Sequence, residues 1–317
     1  MAAFEEITKK IRQSAKTLLE SGRVQTVIGF RTASTPLNAA PVFIRSAEDC
    51  DKLIWNSFCR LNLANYLPGR EGKVALVTKG CDARSAVGQV SENQFLRENL
   101  YLIGVPCSGM VDNQKIEAKE PRPIVEVEES DGVITLKGQD FSTSVKIEEV
   151  LRRNCLTCSN RTPKLADELA GPETSSPAAD DYSDLKALLS KPLEERMAYF
   201  KELIKDCLRC YACRNACPLC YCPVCFVDET LPQWLGKSDD PTDTFIFHLL
   251  RGFHCAGRCT ACGACETACP VNIKVREFNR LMELSVETNW NYSAGLSWEQ
   301  KPPLTVFQVD DNADFIK

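Results

Sequence analysis

Eight of the chain's 18 cysteines fall into a repeated pattern. Cys207, Cys210, Cys213 and Cys217 are separated by two, two and three residues, with Pro218 next; Cys259, Cys262, Cys265 and Cys269 repeat the spacing, with Pro270 next. A tight three-cysteine loop wraps one iron–sulfur cube, supplies three thiolates and turns its backbone N–H groups toward the sulfides. The fourth cysteine starts a helix too far round to reach the same cube, and ligates the other one. Proline then fixes φ where the chain turns away. This predicts two neighbouring 4Fe–4S clusters, one on Cys207, Cys210, Cys213 and Cys269, the other on Cys259, Cys262, Cys265 and Cys217. The competing reading is structural zinc, but zinc ribbons pair two Cys-x-x-Cys knuckles across a long gap, and these runs would leave surplus thiolates.

Ten cysteines remain. Cys220, Cys222 and Cys225 follow Cys217 directly, and Cys255 lies one helical turn before Cys259. If Cys217 and Cys259 share a cluster, these four must also converge, as ligands of a further cluster or a zinc, or as buried free thiols. Cys81 and Cys107 each follow a predicted strand, and Cys155-Leu-Thr-Cys158 could complete a quartet with them. Cys50 and Cys59 read as core thiols.

The bulk numbers narrow the class. The 317 residues allow two domains, and hydrophobic (44%) and charged (26%) contents are ordinary for a globular protein. A net charge of −5 and a pI near 5.4 leave no basic stripe for nucleic acid or a membrane surface. No apolar run is long enough to span a bilayer, and Met1 to Lys10 lacks the apolar stretch of a signal peptide. The expected compartment is the cytoplasm, where dense cysteine points to metal rather than disulfides. So many oxygen-sensitive thiolates suggest an anaerobic host.

The elements that must position these ligands follow from periodicity. Ile7, Ile11, Ala15, Leu18 and Leu19 mark an amphipathic helix over Phe4 to Ser21, ended by Gly22. Strands are predicted at Val24 to Phe30 and Pro41 to Arg45, and a helix over Ser46 to Leu67. Lys73 to Thr78 reads as a buried strand. A corner at Lys79 to Asp82 follows, then a helix to about Arg97 that Asp82 could cap, then a strand from Leu100 to Val105: a β–α–β unit. Asp131-Gly132 between two apolar runs signals a hairpin. The expected organisation is an α/β domain over 1–170 (a small sheet with helices), a Pro/Ser/Thr/Asp-rich linker over 171–184, a mainly helical dicluster ferredoxin-like domain over 185–289, and an extended tail over 290–317 packed on a partner or the core.

Val74-Ala-Leu-Val-Thr-Lys-Gly-Cys-Asp82, Ile103-Gly-Val-Pro-Cys107 and Cys155-Leu-Thr-Cys158 with Ala166-Asp167 together resemble the beta subunit of coenzyme F420 (deazaflavin)-reducing hydrogenase and of deazaflavin-dependent formate dehydrogenase, over roughly Thr17 to Gly171. The resemblance implies that Cys81, Cys107, Cys155 and Cys158 lie at an iron–sulfur cluster. The second half, with Cys-Tyr-Ala-Cys-Arg and His254-Cys-Ala-Gly-Arg-Cys259, resembles dicluster ferredoxin modules of heterodisulfide-reductase-type complexes. Flavin-binding relatives open this domain with a Gly-rich turn, whereas Glu6 to Ala15 contains no glycine, so the backbone cannot approach a phosphate or an FAD ring closely there. Lys79, Gly80, Arg84 and Ser85 could form an anion pocket at a helix N-terminus, or simply shape the Cys81 corner.

His248 and His254 are the only histidines, expected to pack beside clusters rather than ligate them. No Ser/His/Asp set, Walker loop or Gly-x-Gly-x-x-Gly is present. The leading expectation is an iron–sulfur electron-transfer subunit of an anaerobic oxidoreductase, with no substrate chemistry of its own. It would relay electrons between a flavin subunit (heterodisulfide reductase A type) and a formate dehydrogenase, hydrogenase or similar subunit. The alternatives are an FAD-dependent oxidoreductase subunit acting on deazaflavin or NAD(P)H, and a zinc-stapled scaffold.

Overall fold

A computed structural model describes residues 2–238, 240–307 and 309. The first helix, α1 (Ala2–Glu20), ends where Gly22 takes φ 66°. β1 (Thr26–Thr32) and β2 (Ala39–Ile44) pair antiparallel, with Ile28 opposite Phe43. β3 (Val74–Thr78), α2 (Gly80–Ser91) and β4 (Leu100–Gly104) form the expected β–α–β unit, β3 and β4 being parallel. All five residues of β3 are buried, as a strand covered on both faces requires. After α3 (Asn113–Lys119) come β5 (Glu126–Ser130), β6 (Val133–Lys137) and β7 (Ser142–Lys146), an antiparallel three-stranded sheet. Asp131 (φ 49°) and Gly132 (φ 78°) both take the left-handed backbone that a two-residue hairpin turn demands. The short α4 (Arg153–Leu156) and β8 (Glu168–Leu169) close this part, and β8 completes a five-stranded sheet of order β2-β1-β3-β4-β8.

Beyond β8 the described chain is helical: α5 (Ser183–Leu189), α6 (Leu193–Ile204), α7 (Ala212–Asn215), α8 (Pro241–His254), α9 (Ala264–Thr267) and α10 (Arg276–Trp290). Asp240 caps α8, accepting hydrogen bonds from the Thr242 and Asp243 amides, with Pro241 in the first turn. One core of buried apolar residues draws on the chain from Ile11 to Ala170, and a second, including Phe200, Phe247 and Phe278, lies in the helical part. No described helix is long and apolar enough to cross a membrane.

Three local expectations are corrected. Ser46 to Leu67 is not one helix but two 3₁₀ turns, Ala47–Lys52 and Leu63–Tyr66, joined by extended chain. The Ile54 amide donates to Phe30 O at 2.8 Å and the Ser57 amide to Glu129 at 3.1 Å, so tertiary partners pull this backbone off the helical path. Asp82 does not cap α2; Lys79 holds the cap position, and the Asp82 carboxylate accepts from its ammonium. That helix also stops at Ser91 rather than about Arg97, which lies in its own 3₁₀ turn. In the tail, Arg84 Nε donates to Ala294 O at 2.7 Å and the Arg97 guanidinium lies over the Trp298 ring, so residues 294–298 pack on the α/β part, while Phe307 and Val309 are exposed. The expectation for 310–317 falls outside the described residues.

Candidate metal centre

The parallel pairing of β3 and β4 puts the residues after each strand on one sheet edge. Cys81 and Cys107 occupy that edge, the carboxyl end where ligands gather in α/β sheets. The third segment is drawn in by backbone: the Cys107 amide donates to Arg161 O at 3.0 Å. Gly80 lets it close, because a Cβ there would sit 1.7 Å from Asn160 O. Cys155 and Cys158 ride on this loop, and amides turn toward the sulfurs. Gly109 N lies 3.3 Å from Cys107 Sγ, and Met110 N lies 3.4 Å from Cys155 Sγ. A cavity of about 170 Å³ is lined by Cys81, Cys107, Cys155 and Cys158 and also by Cys259 and Cys262.

Beneath this quartet Lys79 is 3% exposed and donates to Asp82 (2.7 Å), Cys59 O (3.0 Å) and Leu61 O (2.9 Å). Of the other anion-pocket candidates, Ser85 Oγ bonds Cys81 O, Asn62 and Thr260, while Arg84 holds Ala294 O. Gly80 faces Asn160. All four are engaged by the protein itself.

The two ferredoxin runs share one backbone pattern. Arg209 (φ 50°) and Tyr211 (φ 59°) in the first match Ala261 (φ 56°) and Gly263 (φ 68°) in the second, position for position. Three of these residues are not glycine, and each costs on the order of 1–3 kcal/mol in this backbone unless its surroundings over-determine it. Left-handed positions of this kind help turn backbone N–H groups inward, as in anion nests, and the Arg209 amide donates to Cys207 Sγ at 3.4 Å. One helical turn follows each loop, α7 and α9, and the two turns pack together. Each first cysteine also receives a side-chain nitrogen: His248 Nε2 lies 3.2 Å from Cys207 Sγ, and Asn279 Nδ2 donates to Cys259 Sγ at 3.6 Å. Burial first, then Arg251 and Arg209, hold the His248 imidazole down at about 3, so it is neutral and stacks on Phe278.

Thiols of each run have thiols of the other as neighbours. Cys207 has Cys269 and Cys210 as charged neighbours, and Cys213 has Cys207 and Cys269. Cys262 has Cys217, and Cys265 has Cys262 and Cys217. Cys81 in turn has Cys262 and Cys158. Among the described residues one trio alone, Cys217, Cys220 and Cys255, has its sulfurs all within 4.8 Å of one another. Tetrahedral zinc with Zn–S of about 2.3 Å draws its sulfurs to about 3.8 Å apart, so neither ferredoxin quartet is gathered to zinc dimensions. Cys50 and Cys59 stay in the α/β core, where burial pushes the Cys59 thiol up to about 12.

Several residues at this centre were not singled out from the sequence. Arg251 is 3% exposed, has no carboxylate partner among the described residues, and has the thiols Cys255, Cys217, Cys265 and Cys220 as its main charged neighbours. Its position four residues before Cys255, on the same helix face, was the available signal. Arg152 donates to Gly263 O and Asn154 to Ala261 O, tying the Cys155 loop to the second ferredoxin loop. No spacing rule foreshadows these.

Residues 71–177 match the family defined by the carboxyl-terminal part of the coenzyme F420 hydrogenase/dehydrogenase beta subunit, and this span holds Cys81, Cys107, Cys155 and Cys158. Over that span the chain is similar to that beta-subunit family. Similar proteins include the F420-dependent formate dehydrogenase subunit beta of Methanocaldococcus jannaschii, 25% identical over 353 residues, covering 91% of this chain and 92% of that one. The F420-dependent formate dehydrogenase 1 subunit beta of Methanococcus maripaludis is 26% identical over 361 residues, with 91% of each covered. A chain of the F420-reducing nickel–iron hydrogenase complex of Methanosarcina barkeri gives a TM-score of 0.40 at 17% identity, over 51% of this chain and 65% of that chain.

Proposed function

We propose that this chain is the electron-transferring subunit of an oxidoreductase complex, its thiol quartets holding 4Fe–4S clusters in a row. The observation that carries the reading is the cavity walled both by Cys81, Cys107, Cys155 and Cys158 and by Cys259 and Cys262, which leaves no protein layer between the two sites. Bound clusters would supply one-electron acceptance and release. The chain's own residues set the conditions. The Arg209 amide donates to Cys207 Sγ at 3.4 Å, His248 Nε2 lies 3.2 Å from the same sulfur, and Asn279 donates to Cys259 Sγ. Lys79 and Arg251 place buried positive charge beside thiolates, which favours the more reduced state. Tyr211, Phe247 and Phe278 pack around the first run and exclude water.

The relatives named as formate dehydrogenase beta subunits support a partner from that kind of complex. On this reading a flavin-bearing subunit, of the heterodisulfide reductase A type, stands at one end of the row and a formate dehydrogenase or hydrogenase subunit at the other. The engagement of Lys79, Gly80, Arg84 and Ser85 within the protein supports a relay rather than a flavoenzyme. The test is anaerobic isolation from the native cell, followed by separation of the chain and assay of released FAD. Co-purification with flavin and catalytic subunits, with the separated chain FAD-free and bleached by dithionite, is the expected result. Stoichiometric FAD on the separated chain would replace the relay with the flavoenzyme.

A further inference from the structure

Four thiols that neither ferredoxin run uses line one pocket. Cys220, Cys222 and Cys225 come from the chain that leaves Cys217, and Cys255 comes from the carboxyl end of α8; the pocket they border measures about 810 Å³ and opens to solvent. Cys255 is 1% exposed while Cys222 is exposed, so the set runs from the interior to the surface. The sulfurs of Cys220 and Cys255 both lie within 4.8 Å of Cys217 Sγ, the ligand expected at the second ferredoxin site.

Charge at the pocket wall supports the same site. Arg251 and Arg258 both border the pocket. Arg258 is neutralised by Glu92, to which it donates at 2.6 and 2.7 Å. Arg251 is not: it donates to Cys213 O at 3.2 Å, its Nε has no partner, and no described carboxylate pairs with it. A buried guanidinium without a counter-charge is strongly unfavourable. Metal-bound thiolates supply that charge, Cys217 and Cys265 from the second ferredoxin site and Cys255 and Cys220 from this pocket.

We propose that Cys220, Cys222, Cys225 and Cys255 ligate a further 4Fe–4S cluster, adjoining the second ferredoxin site across Cys217 and forming the solvent-facing end of the row. The proposal deepens the relay reading and rests on it. A cubane suits the site better than zinc because no three of these four sulfurs lie within 4.8 Å of one another; the one tight trio needs Cys217. Zinc would require all four at about 3.8 Å.

The experiment compares iron, acid-labile sulfide and zinc in the full chain and in a Cys222→Ser, Cys225→Ser double variant, both prepared anaerobically. Cys222 is exposed and Cys225 half-buried, so the substitutions leave the deep core untouched. The expected result is a loss of about four iron and four sulfide per chain, with the EPR signal of the paired ferredoxin sites retained. Unchanged iron in the variant overturns the proposal and leaves the relay standing. A zinc in the unaltered chain that the variant loses also overturns it, and needs no assumption about the variant's iron content. Absence of iron from the unaltered chain would overturn this proposal and the relay together.

Discussion

Replacing Gly80 by alanine would put a methyl carbon 1.7 Å from the Asn160 carbonyl oxygen and 2.9 Å from its carbonyl carbon. Because Cβ atoms essentially never come within 3.0 Å of a heavy atom, the two backbones must part by about 1.3 Å. Neither side yields freely. Gly80 opens α2 inside the Lys79–Asp82 pair, and Asn160 lies between Cys158 and Arg161, whose carbonyl holds the Cys107 amide. Metal–ligand distances tolerate only about 0.2 Å, so the displacement should cost the Cys81, Cys107, Cys155 and Cys158 site its metal. Iron and sulfide should each fall by about four per chain, while the overpacking itself costs about 1–3 kcal/mol by denaturant unfolding. Gly88→Ala on the same helix is the control: its Cβ would meet nothing nearer than Leu219 Cδ2 at 3.8 Å. It should keep full iron and gain up to about 1 kcal/mol. A Gly80→Ala protein with undiminished iron would refute the placing of a cluster at this edge.

Four further outcomes follow from other contacts. Lys79→Met strands the Asp82 carboxylate, 0% exposed, and should cost about 3–5 kcal/mol in unfolding experiments, a loss that Lys79→Met with Asp82→Asn should largely restore. Arg280→Met removes the guanidinium that holds Asp180, Asp184 and Glu277, and should open the segment 171–182 to proteases. Acid should do the same: the hydrogen bond from Arg280 holds the Asp184 carboxyl at about 2, below its ordinary 3.8, so its contribution is complete above about pH 4 and is lost as pH falls through 2. His248→Phe removes the ring nitrogen 3.2 Å from Cys207 Sγ, and if that contact favours the reduced state by about 1 kcal/mol, the potential of that site should drop by about 40 mV in a redox titration.

What the sequence revealed and what it hid divide along a physical line. Features written in local spacing were legible. The apolar run at Val74 to Thr78 before a Gly-Cys corner became β3 and the start of α2, and Asp131-Gly132 became the hairpin turn. The repeated cysteine spacing became two loops with matching left-handed positions. Features decided by distant partners were not legible. Ser46 to Leu67 has helical spacing, but the Phe30 carbonyl and the Glu129 carboxylate claim its middle. Asp82 looks like a cap, yet a buried lysine three residues earlier is the stronger partner. The ties from Arg152 and Asn154 to the second ferredoxin loop span more than a hundred residues and have no sequence signature.

The most direct test of interlocked cubanes is EPR spectroscopy of the anaerobically prepared, dithionite-reduced chain. Two paramagnets held side by side by exchanged cysteines predict a broadened spectrum with splitting from spin–spin interaction, and conversion of Cys217 to serine should remove that splitting while leaving a simple signal from the site on Cys207, Cys210, Cys213 and Cys269. A colourless protein, free of sulfide and silent on reduction, would contradict the account at its root.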